Sequence, residues 1–282
     1  MVLESFVNPL RAENRPWNLF FIGFLYATIA TFLSLWIFKQ YSSLVMVFLT
    51  VNASIPLMYA TMKFEESKDL QIDKELPLLK EHWKAIRFLI FLFLGFLVAY
   101  SLWFVILPSN LVQTMFSTQL ETIEAINSKV TGAYSAGTIL NQIFMNNVKV
   151  LLFAVFFAFF YGVGAIFILT WNASVISAAI GSFFKNNIAD YLGSVGIASA
   201  FNYFHVYSLS LLRYLIHGIP EIGAYFVGGL AGGIISVAMI NHDLESEKFK
   251  NIMMDALDLI IIAVFILFIA ALIEVFITPI FF

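Results

Sequence analysis

The stretch RYLIHGIPEIGAYFVGGLAGG (213–233) sets His217 and Glu221 four residues apart in an otherwise apolar run. An imidazole and a carboxylate at that spacing on one helix share a face, where they could pass a proton or supply two ligands to a metal ion. Gly218 and Pro220 stand between them and predict a break instead. On that reading Gly218 ends one helix, Pro220 sits in the first turn of the next, and Glu221 complements its positive end. A metal would need a third ligand from elsewhere, Glu274 or His205. Arg213, Asn146, Asn147, Lys149 and Glu274 complete a candidate polar cluster, since each lies near the end of an apolar run. Three chemistries compete for it: a helix-capping set, a site for a ligand, ion or proton, and hydrolysis. No HExxH, Walker A, GxSxG or dinucleotide-binding glycine pattern occurs, so we expect no catalytic residue, no metal and no cofactor.

The elements that hold these residues follow from composition. Of 282 residues, 61% are hydrophobic and 12% charged, and the mean hydropathy is +0.91. Such a chain is solvated by lipid, and in lipid every backbone polar group must be satisfied within its own segment. The apolar runs are therefore helices, because the short alternating stretches of a membrane β-barrel are absent. The net charge of -3 and the lack of a basic patch exclude nucleic acid as a partner, and the absence of cysteine excludes disulfides and thiolate chemistry.

Apolar runs of spanning length lie at Trp17 to Phe38, Leu44 to Met62, Phe88 to Leu107, Val148 to Thr170, Ile219 to Ile240 and Leu259 to Phe276. The first is too long for a signal-peptide core and reads as a retained anchor. Two shorter pieces, Ala173 to Phe184 and Tyr203 to Ile216, remain. Lys and Arg near span ends mark the cytoplasmic side, and Arg11, Arg15, Lys63 to Arg87, Lys248 and Lys250 can share it only if one short piece also crosses. Ala173 to Phe184 is the better choice, since it follows the fourth run at once. Tyr203 to Ile216 then lies along the outer interface or re-enters it. The expectation is an all-α, polytopic transmembrane bundle of about seven spans in the cell membrane, with a cytoplasmic amino terminus and a broken or re-entrant helix at the outer face. In that topology the polar cluster falls near the outer ends of its spans. Residues from Pro108 to Asn147 carry Leu111, Met115, Leu120, Ile123, Ile126 and Val130 at roughly helical spacing, an amphipathic cap or a docking surface. The loop from Lys63 to Arg87 mixes both charges and reads as a solvated hairpin face.

Ala224, Gly228, Gly232 and Ser236 recur every four residues, with Gly229 and Gly233 a second pair. Ala154, Ala158 and Gly162, and Ser177 with Gly181, repeat the spacing on other runs. Small residues at this interval let helices approach closely in lipid. Packing within one chain is the first reading and a homo-oligomer seam the second.

NNVKVLLFAVFFAFFYGVGAIFILTWNASVISAAIGSF (146–183), HGIPEIGAYFVGGLAG (217–232) and IAALIEVFITP (269–279), in this order, resemble the stage II sporulation protein M family. The resemblance covers 88–282, leaving 1–87 as an amino-terminal two-span extension with a charged inner loop. It implies a membrane component that works beside cell-wall hydrolases and is not itself an enzyme. We therefore expect a non-catalytic platform or assembly component, its partners the lipid bilayer and an envelope protein. A transporter or channel-like permease with a polar outer site is the alternative, and an intramembrane hydrolase the third reading.

Overall fold

The computed structural model describes residues 17–69, 75–130, 135–161, 165–188, 197–241 and 246–281, and every regular element among them is helical. Helix α1 (Trp17–Ile37) passes through a 3-10 turn at Lys39–Tyr41 into α2 (Ser42–Asp69), and α3 covers Glu75–Ile106. Two short helices, α4 (Ser109–Met115) and α5 (Ser117–Val130), precede α6 (Ala136–Tyr161), α7 (Ala165–Ile188) and α8 (Ile197–Asn241). Helix α9 (Glu247–Leu272) continues through a π turn at Ile273–Ile277 into α10 (Thr278–Phe281). Among the described residues seven stretches are long and apolar enough to cross a membrane: α1, α2, α3, α6, α7, the second half of α8, and α9 with its extension.

Contacts between the helices fix their directions. Trp17 meets Phe91 and Phe32 meets Trp103, so α1 and α3 run parallel. Thr50 bonds Tyr100 at 2.7 Å and Glu65 bonds His82 at 2.8 Å, so α2 runs against them. Ser177 Oγ donates to the Leu97 carbonyl at 2.9 Å and Lys185 Nζ to that of Leu107 at 3.2 Å, which makes α7 parallel to α3. Helix α8 descends, pairing Tyr207 with Ser101 and Phe226 with Phe93. One end of the bundle thus gathers Lys63, Lys84, Arg87, Lys248 and Lys250, and we term it the basic end; α4 and α5 cover the other, the cap end. Exposed aromatic residues mark both limits: Trp17, Tyr59 and Trp83 toward the basic end, Trp36 and Tyr41 toward the cap. From Trp17 to Trp36 a helix advances about 28 Å, close to the roughly 30 Å of a hydrocarbon core. Phe21, Leu25 and Ile29 on α1, Leu152, Phe153 and Phe156 on α6, and Leu257, Ile261 and Phe265 on α9 point outward at helical spacing, the pattern of lipid-facing sides.

The structure revises several of these expectations and bears out one. The fourth run, Val148 to Thr170, is two helices, α6 and α7, on either side of 162–164, where the sequence Gly-Val-Gly carries a breaker signal. Gly162 of the small-residue pattern lies there, outside the described residues. The count of seven survives because Ala173 to Phe184 belongs to α7. The helix at HGIPE is not broken: α8 runs unbroken for 45 residues with Pro220 inside it, and Tyr203 to Ile216 is its first part rather than a separate surface piece. Proline removes one backbone donor, but in apolar surroundings the remaining groups have no water to turn to, and the helix stays their best partner. Of the stretch 108–147, α4 and α5 form the expected cap packed on the spans, bent at Phe116, with Val112, Met115 and Phe116 buried, but Ala136 to Asn147 is the start of spanning helix α6. The inner hairpin is not simply solvated, since Glu65, Lys68 and His82 are buried between α2 and α3.

Candidate functional site

Glu221, Ala224, Tyr225, Gly228 and Gly232 recur at three- and four-residue steps and form one face of α8. That face receives α6. A Cβ on Gly228 would collide with the Leu151 side chain, and one on Gly232 would lie 2.5 Å from the Val155 carbonyl oxygen and 3.0 Å from the Ala158 Cβ. Ala224, Gly229 and Gly233 are buried with them, and Ser236 is half-buried. Ser177 and Gly181 do the same work on α7, where a Cβ on Gly181 would meet the Phe104 ring. The small residues are thus used within the chain.

Toward the cap end this face turns polar. The Tyr225 hydroxyl donates to Glu221 Oε1 at 2.8 Å. Glu274 rides on the π turn, within electrostatic reach of both Glu221 and Tyr225. His217 Nδ1 lies 3.3 Å from Thr278 Oγ1, which itself donates to the Ile273 carbonyl at 3.2 Å. A π turn inserts an extra residue into the helix and so changes the face on which the following side chains stand. Asn147 is buried on α6, four residues before Leu151 and hence on the side turned to α8. Its Nδ2 has no hydrogen-bond partner among the described residues. The structure therefore brings His217, Glu221 and Glu274 together and sets Asn147 about one turn away. Asn146 and Lys149 are exposed on other sides of α6, and the side chain of Arg213 lies outside the described residues.

The depth of the cluster differs from the expectation. Gly218, Ile219 and Ile222 share an apolar pocket with Ile90, Phe93, Leu94 and Leu97, the middle of α3. Because α8 does not begin anew at Pro220, the residues before it supply the first part of the crossing, and the histidine and glutamates move inward. Two carboxylates there can hold a proton or a small cation between them. Among the described residues no three His, Asp or Glu side chains converge as metal ligands.

Two further polar centres escaped the sequence reading. Glu65 Oε1 accepts from Lys68 Nζ at 2.7 Å and Oε2 meets His82 Nδ1 at 2.8 Å, with Lys68 also 4.5 Å above the Phe64 ring. The Glu-x-x-Lys spacing was the available signal; only the fold supplies His82. Under the cap, Gln119 is fully buried. Its Nε2 donates to the Ser43 carbonyl at 3.2 Å and to Ser174 Oγ at 3.1 Å, while Ser43 Oγ donates to its Oε1 at 3.0 Å. One amide thus ties α2, α5 and α7 together.

No curated protein and no solved structure matches this chain. The family model for stage II sporulation protein M matches residues 85–279, from the start of the apolar part of α3 to α10, and so takes in the cap, the small-residue face and the polar cluster. The chain belongs to the stage II sporulation protein M family, and is a multi-pass membrane protein.

Proposed function

We propose that the protein works without catalysis as a platform in the cell membrane, an assembly component for cell-envelope partners, with its amino terminus in the cytoplasm. The observation that carries this reading is the cap. It turns Val112, Met115, Phe116 and Gln119 into the bundle and leaves Asn110, Gln113, Glu121 and Glu124 exposed. The Gln119 bonds to α2 and α7 hold that polar surface on rigid supports, and a preordered surface binds a partner with less entropy to lose. The concentration of Lys and Arg at the opposite end supports a cytoplasmic basic end and an outward cap. The test places a photocrosslinking residue at Gln113 or Glu121 and, as a lipid-facing control, at Phe153. The platform reading expects a protein adduct from the cap positions, reduced when Glu121 and Glu124 are changed to Lys. Equal adducts from Phe153, or none from the cap, count against it.

A second reading, an ion- or proton-coupled permease, is favoured by one observation: Glu221 and Glu274 lie in spanning segments, and neither forms an ion pair among the described residues. Ionisable groups inside a membrane are costly and commonly serve transport. Gradient-driven flux in proteoliposomes that Glu221→Gln abolishes would support it; flux equal to empty vesicles removes it.

A further inference from the structure

Arg87 is exposed on α3 and makes no hydrogen bond or ion pair among the described residues. Its surroundings are those of a lipid-facing surface. Trp83 lies one turn toward the basic end and Phe91 one turn the other way, so the three form a single stripe along α3. Trp17 of α1 stands beside that stripe with its ring edge-on to Phe91 at 4.8 Å. Trp83 is 55% and Trp17 64% exposed, so both indoles face out of the bundle. Neither donates its ring N–H to a described residue, unlike Trp103, whose Nε1 bonds Thr28.

Depth makes this arrangement informative. Exposed tryptophans settle at the headgroup boundary, and Arg87 lies at that boundary, one turn inside Trp83 and beside Trp17, whose ring packs on Phe91. A guanidinium there lays its stem along apolar neighbours and reaches into the headgroup layer for an anion. Among the described residues none faces it: Glu65, the described carboxylate of the adjoining hairpin, is buried and already shared by Lys68 and His82. Exposed Lys63 and nearby Lys84 raise the positive potential at the same end. A planar guanidinium forks onto phosphate oxygens, and a flanking indole N–H adds a donor.

We infer that Arg87, Trp83 and Trp17 form a site for the headgroup phosphate of an anionic phospholipid in the leaflet at the basic end. Anionic lipid is preferred over zwitterionic because the latter carries its own ammonium, which Arg87 and the exposed Lys63 repel. This goes beyond the platform reading and does not depend on it.

The test uses the full-length protein in detergent, with phosphatidylglycerol or phosphatidylcholine added, read by native mass spectrometry and by melting temperature. Phosphatidylglycerol should be retained preferentially and should raise the melting temperature more. Arg87→Gln should lower that preference about five-fold, the weight of one basic residue at a membrane surface. Trp83→Phe, which keeps the ring and removes the N–H, should lower it less, and Lys149→Gln at an exposed site elsewhere should leave it unchanged. Unaltered preference in Arg87→Gln overturns the site. So does an equal loss in Lys149→Gln, which would reveal a net-charge effect, or an equal rise in melting temperature with inorganic phosphate, which would reveal a free-anion site.

Discussion

Glu65 holds two partners with one carboxylate, and its removal would take from the buried Lys68 ammonium a carboxylate 2.7 Å away and from His82 its bond at 2.8 Å. Breaking a buried pair in this way costs about 3 to 5 kcal/mol, far more than losing a surface pair. Glu65→Ala should therefore lower the melting temperature in detergent sharply, while Glu247→Ala, which breaks the exposed bond to Lys250, should leave it nearly unchanged. Similar melting of the two variants would show that the triad is not a stabilising centre. At the other polar centre, Tyr225→Phe strips Glu221 of its donor and should cost roughly 1 to 3 kcal/mol, whereas Glu221→Gln keeps an acceptor for the hydroxyl and should cost less. The reverse order would place the Tyr225 bond outside the fold's energetics. His217, Glu221 and Glu274 were legible because ionisable residues stand out in apolar runs. Tyr225 was not, since one more aromatic residue in a chain with 17% of them carries no mark until its hydroxyl is paired with a residue four positions away. Glu65 and His82 were hidden for the opposite reason, among many charged neighbours.

The helix α8 shows where rules drawn from water mislead. Glycine and proline read as a stop, yet the helix passes both, and nothing lies within 4 Å of where a Gly218 Cβ would stand. Gly218→Ala should then be neutral or stabilising by up to about 1 kcal/mol, because alanine gains helix propensity and finds room. A marked loss of stability would mean that α8 bends at this point in a way that requires glycine. The small-residue face predicts an order as well. A leucine at Gly228 meets the flexible end of Leu151, whereas one at Gly232 meets the Val155 backbone. Overpacking costs about 1 to 3 kcal/mol, and Gly232→Leu should be the worse of the two by melting temperature. Spacing in the sequence made this face readable. It did not show that α6 is the partner, because the same spacing stands on other runs, as at Ser177 and Gly181, and spacing alone pairs none of them.

For the molecule as a whole, sidedness is the decisive property, and a chain without cysteine suits its measurement. Ser135→Cys at the exposed start of α6 should react with an impermeant maleimide on intact cells, and Lys248→Cys at the start of α9 only after lysis. The opposite pattern would invert the bundle and turn the cap toward the cytoplasm. The two amino-terminal spans also belong to this whole: Gly23 and Gly95 bring the backbones of α1 and α3 so close that a Cβ on either would strike a carbonyl oxygen of the other helix. Sequence similarity begins at residue 85, but the fold does not divide there. Synthesis order gives the cap a further property. Of the partners of Gln119, Ser43 is made before it and Ser174 follows 55 residues later, about 3 to 11 seconds at about 5 to 20 residues per second. During that interval the amide lacks one of its three bonds, and the cap lacks that tie to α7. Ribosome-arrested chains that stop short of Ser174 should lose the cap to added protease, and chains arrested well after Ile188 should keep it, so that maturation of the cap surface is timed by the insertion of α7.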